Sequence, residues 1–164
     1  MKTPTLRALL APLLAVAVGT AAQAQAKTDA FLNDAAIFPK GQRAPAENFT
    51  GTVWVQQLIQ PDSALNVPVG YVTFEPGARS HWHSHPGGQV LLAMGGIGYY
   101  QERGKPLQIL RKGDAVKCPP DVPHWHGASP TVGFMQVAIT PNTATGRVTW
   151  MQPVTDEEYN RLKK

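Results

Sequence analysis

Between Ser80 and Val90 the chain reads SHWHSHPGGQV, with histidines at 81, 83 and 85 and a glutamine at 89. In an extended strand successive side chains alternate faces, so His81, His83 and His85 would share one side. Imidazoles gathered on one face form the donor set of a transition-metal site. The apolar run QVLLAM that follows places them at a strand or its edge, not in a solvated tail. A second pair, His124 and His126, stands in KGDAVKCPPDVPHWHGA. A histidine taken singly is more often a hydrogen-bonded core residue than a ligand, and spacing alone does not decide which of them bind. If HWH is extended, His124 and His126 share a face, and one can bind while the other moves a proton; an ordinary imidazole pKa near 6.5 suits that work. Trp82 and Trp125 alternate to the other face, where packing is the simpler role. Cys118 is the one cysteine of the chain. No intramolecular disulfide and no thiolate zinc cluster is therefore possible, and nothing nearby activates the thiol as a nucleophile.

These residues need a scaffold, and the chain supplies short β-type runs with Gly/Pro/Asn punctuation from Gly51 onward. The runs are TVWVQQLI, VPVGYVTF, QVLLAM, IGYYQE, LQIL, AVKC, FMQVAI and RVTWMQ, with the pair GG separating QVLLAM from IGYYQE. That spacing predicts an all-β sandwich or closed barrel. One helix is expected, in TDEEYNRLKK, with Thr155 as N-cap and Glu158 completing a capping box. Residues 27–50 carry Ile37, Phe38 and Phe49 among prolines and have no helical period. They are expected to form an arm or edge strand lying on the barrel or on a neighbouring subunit.

Together the two histidine segments resemble the paired motifs of the cupin family. From Gly77 to Gly96 the pattern is Gly, five residues, His-x-His, three residues, Gln, six residues, Gly; from Gly113 to His124 it is Gly, five residues, Pro-x-Asp, two residues, His. The resemblance implies a single-domain cupin jelly-roll barrel, the double-stranded β-helix, over residues 51–164. It implies His83, His85, Gln89 and His124 as ligands of one divalent ion, manganese first and iron(II) next, with zinc, nickel or cobalt also accommodated. His81 falls outside the pattern and reads as a rim residue. Gln89 stands where most cupins carry Glu, which raises the net charge of the site by one unit and strengthens the ion as a Lewis acid. Asp121 replaces a usual glycine, a mild change because Asp tolerates a left-handed turn. Among cupins the chain is similar to a small secreted group that includes manganese-dependent hydroxynitrile lyases. This similarity implies a metal-dependent lyase with His126 as general base. A second active-site histidine of that group aligns with Gln136, which is expected to orient the leaving group. A dioxygenase, or a binder of a small molecule or metal without turnover, remains the alternative.

The first 26 residues read as a secretory signal peptide: Lys2 and Arg7, an apolar stretch from Ala8 to Val18, and a small-residue cleavage site ending at Ala26 or Ala24. Its apolar run is short for a transmembrane helix, so a secreted or periplasmic protein is expected, with an uncleaved anchor as the alternative. Without Lys2 and Arg7 the formal charge of +4 falls to +2. That charge is too small and too scattered for a nucleic-acid surface. The expected partners are a small-molecule substrate and other copies of the chain, as a dimer or tetramer.

Overall fold

The computed structural model describes residues 36–161; the expected leader at residues 1–26 and the first part of the arm lie outside them. Two short pairings begin the described chain, β1 (Gln42–Arg43) and β2 (Phe49–Thr50), followed by β3 (Val53–Ile59) and β4 (Val69–Phe74). The first histidine segment carries only two-residue strands, β5 (Arg79–Ser80) and β6 (His83–Ser84). Then come β7 (Gln89–Glu102), β8 (Gln108–Arg111), β9 (Ala115–Cys118), β10 (His124–Ala128), β11 (Phe134–Ile139) and β12 (Thr149–Trp150). The chain closes with α1 (Asp156–Tyr159).

The neighbours run β1-β3-β4-β11-β7-β10-β5-β2, with β9 and β8 also on β7, and β6 joining β10 to β12. All of these pairings are antiparallel. The curled sheet is the expected cupin β-barrel. It hinges on β7, which runs unbroken through Gly95 and Gly96, where two separate strands were expected. The first half of β7 pairs with β9 and β11, and its second half with β8 and β10. The glycines let one strand serve both sheets. Gly96 has φ +79°, and a Cβ there would lie 1.9 Å from the Gly133 carbonyl oxygen. Beside it the β7–β11 register slips between Met135 and Gln136, a bulge that bends the strand from one sheet to the other.

Alternation fills the barrel. Val53, Val72, Phe74, Leu91, Tyr100 and Phe134 form its buried apolar core. Phe74 and Phe134 stack at 6.4 Å and 26°. The opposite side of β10 carries Trp125, which packs with Trp82, Val154 and Tyr159. Both tryptophans thus face away from the histidines, as alternation requires, and α1 helps to cover them. Among the described residues that helix is one short turn, the short C-terminal helix expected. Its capping box is as expected, with Thr155 Oγ1 accepting from Glu158 N at 3.2 Å and Thr155 N donating to Glu158 Oε2 at 2.8 Å. Arm residue Phe38 packs edge-on to Tyr71 at 5.4 Å, while Ile37 is exposed.

Candidate metal centre

His83 on β6 and His124 at the head of β10 are register partners, so the pairing brings both histidine motifs together. His85 lies one residue beyond β6, and Gln89 opens β7. One ring nitrogen from each of His83, His85 and His124 lies within 4.8 Å of the others, and all three residues are buried. The segment around His81 is not a continuous strand, so the three histidines do not share a face by simple alternation. His81 stays outside the cluster, and its carbonyl oxygen is used instead: it lies 2.9 Å from Nδ1 of His83.

The same arrangement holds the other two rings. Nδ1 of His124 is 2.9 Å from the Val122 carbonyl oxygen, and Nδ1 of His85 meets the Arg147 carbonyl oxygen. A carbonyl can only accept, so each neutral ring carries its proton on Nδ1 and keeps a lone pair on Nε2. Nε2 of His85 and Nε2 of His124 are buried without a partner. Gln89 Oε1 is likewise buried and unpartnered, while its Nε2 donates to Thr140 Oγ1 at 3.3 Å. Leaving a buried acceptor unpaired costs about 1–3 kcal/mol. Three such acceptors around one cavity, two of them oriented through Nδ1 contacts, fit an electron-pair acceptor held between them.

Burial sets the protonation in the same direction. Desolvation pushes the His124 imidazole down to about 4, against a smaller opposing effect of its bond to Val122. Burial, and then the neighbouring His124 and His126 rings, holds His83 well below the usual imidazole range. Burial also lowers His85. All three are therefore neutral at pH 7, the form that ligates.

His126, also on β10, is buried and lies outside the ligand cluster, with its ring 5.2 Å from that of His83. Phe74 meets it edge-on at 5.6 Å and 90°. Gln136 places its amide Nε2 at 3.0 Å from His126 Nδ1. Burial, with help from His124 and His85, holds His126 well below its ordinary pKa.

The cavity is about 150 Å³, and His83, His85, Gln89 and His126 line it together with Phe49, Val72, Val148 and Trp150. No carboxylate lines this cavity among the described residues; the buried Glu102, register partner of His124, is the nearby acidic group that acts on that ring. A wider groove of about 580 Å³ shares Phe49 and Trp150 with it. Phe49, Thr140, Arg147 and Trp150 also belong to this site, beyond the residues expected from sequence. Thr140 and Arg147 act through a hydroxyl and a backbone carbonyl, and no motif marks either. Two smaller points agree with the expected register. Asp121 has φ 59°, the left-handed turn ahead of His124, and burial pushes the Cys118 thiol up to about 12, which leaves it inert.

The cupin domain model matches residues 70–133. An (R)-mandelonitrile lyase of Granulicella tundricola is 46% identical over 120 residues, covering 73% of this chain and 91% of that protein. The crystal structure of a cupin-like protein from Thermotoga maritima is 48% identical, with a TM-score of 0.75 over 77% of this chain and 96% of that one. A DMSP lyase of Ruegeria pomeroyi shares the fold alone, at 20% identity and a TM-score of 0.54 over 89% of this chain and 83% of that one. Barrel topology, motif register, the buried histidine cluster and these similarities agree: the chain belongs to the cupin family.

Proposed function

We propose that the chain is a metal-dependent lyase that cleaves hydroxynitriles to a carbonyl compound and hydrogen cyanide. The observation that carries this reading is an imidazole, His126, standing beside a cluster of neutral donors without belonging to it. The likeness to the (R)-mandelonitrile lyase supports the substrate class. His83, His85, His124 and Gln89 would hold one divalent ion, manganese by preference and iron(II) next. Bound there, the ion supplies Lewis-acid polarisation of a substrate oxygen.

His126 takes the proton of the substrate hydroxyl. The bond to the nitrile carbon breaks, its electron pair leaves with cyanide, and the carbonyl forms. The same imidazole returns the proton to cyanide, so atoms and charge balance. Its lowered pKa keeps it unprotonated, and so able to accept, at neutral pH. Phe49, Val72, Val148 and Trp150 give the substrate an apolar wall and keep water from the reacting bond. The pocket, about 150 Å³ including the space between the proposed ligands and open on one side toward the wider groove, sets the scale of the substrate as a small molecule. Release of cyanide from mandelonitrile by the manganese-loaded protein, with no oxygen uptake, is the expected result. Oxygen consumption on a polyphenol or diketone panel without cyanide release would support the dioxygenase instead.

A further inference from the structure

Four histidines cluster at this site, and three of them have Nδ1 against a backbone carbonyl: His83 at His81, His85 at Arg147 and His124 at Val122. A carbonyl fixes the tautomer permanently, because it can only accept. His126 is the exception. Its Nδ1 meets a side-chain amide, that of Gln136, at 3.0 Å. An amide can offer either a donor or an acceptor, and among the described residues this is the hydrogen bond made by the His126 ring. Gln136 is fully buried, and its Oε1 has no hydrogen-bond partner. With the far end of the amide unheld, turning it by half a rotation keeps one hydrogen bond to Nδ1 and breaks none elsewhere.

We propose that Gln136 is the positioning residue that sets the tautomer of His126, and that its amide serves both tautomers by turning. With its NH2 toward Nδ1, the ring proton sits on Nε2, which donates to a carbonyl oxygen in the cavity. With its oxygen toward Nδ1, that nitrogen carries the proton, and Nε2 has the lone pair that accepts from a hydroxyl. When Nε2 takes the hydroxyl proton, the amide oxygen still accepts from Nδ1–H, so the ring keeps its partner throughout. One imidazole, held edge-on by Phe74 at 5.6 Å, can thus accept from a hydroxyl or, once it has gained a proton from water at Nε2 and lost the one at Nδ1, donate to a carbonyl oxygen, without moving its ring. The chemical use of the switch rests on the lyase reading above; the geometry of the switch does not.

The test is the side-chain ¹⁵N spectrum of histidine-labelled full-length protein loaded with zinc, which is diamagnetic. His126 is expected to give averaged shifts, between the protonated and bare limits, at both ring nitrogens, while His83, His85 and His124 show protonated Nδ1. In Gln136→Glu the carboxylate only accepts, and His126 should move to the limit with Nδ1 protonated and Nε2 bare. Gln136→Met keeps the volume and removes both amide groups. It should shift His126 off the wild-type average while the other three histidines stay in place, which separates loss of tautomer control from loss of fold. A wild-type His126 already at one limit, or shifts unchanged in both variants, overturns the proposal. If the shifts behave as expected and no hydroxynitrile is cleaved, the tautomer control stands and the lyase reading falls.

Discussion

His83 and His124 lie opposite each other across an antiparallel strand pair, with ring centroids 4.4 Å apart, although they are far apart in sequence. Two residues further along the same strand, His126 faces the same cavity from outside the ligand cluster. Substitutions at the two positions should therefore fail differently. His124→Ala removes one of the proposed ligands and should strip or greatly weaken metal binding. His126→Ala should keep full metal stoichiometry and lose about 10²–10⁴ in rate, the usual contribution of a general base. Metal analysis and rate, taken together on both variants, check this. Loss of the ion from His126→Ala would make it a ligand, and full rate would make it structural.

Gln89→Glu would place a carboxylate in a lining that has none, with Thr140 able to turn from acceptor to donor toward it. The ion should be held at least as well but act as a weaker Lewis acid, because the added negative charge offsets its own. The pH optimum of cleavage should rise and the rate fall. An unchanged optimum at full metal occupancy would show that the charge of this ligand does not tune the chemistry.

Metal-free protein should lose stability as pH falls below about 6.5, the range in which unfolded histidines gain protons. The sign follows from burial: the His124 imidazole is held near 4 in the fold, so the unfolded state binds more protons throughout that window. A group depressed from about 6.5 to about 4 accounts for roughly 3 kcal/mol lost on acidification. His83, His85 and His126 act in the same direction. Denaturant midpoints of chelator-treated protein between pH 7 and pH 4 check it; a flat profile would mean that these rings are hydrated and not desolvated.

Phe38 packs its ring on Tyr71, which is fully buried. Phe38→Ala should destabilise the barrel by about 1–3 kcal/mol, less than a fully buried Phe because the site is at the surface. Thermal melts with metal content held constant would measure this, and an unchanged melt would show that the arm is held without this contact.

The meeting of His83, His85 and His124 was legible in the sequence, because the glycine and proline spacing set both histidine segments in one register and the fold brings these three rings together. Three features were not. Gly95 and Gly96 read as a break, yet β7 runs through them, because their missing side chains allow a close approach that joins the two sheets. The run of His81, His83 and His85 read as one strand face, but only His83 and Ser84 pair, and the carbonyl of His81 matters more than its ring. Gln136 was expected to orient a leaving group, whereas its contact in the fold is with His126, which depends on how β10 and β11 face each other across the barrel. Sequence spacing reports on one strand at a time; contacts across the interior come from closure.

The central claim is that a metal held by His83, His85, Gln89 and His124 makes this cavity a hydroxynitrile lyase. Its most direct test is cyanide released from mandelonitrile by protein stripped with chelator and then titrated with manganese. The account predicts no release above background from stripped protein, and activity that rises with added ion to a plateau at one ion per chain. Equal release before and after stripping, or none at full occupancy, would contradict it.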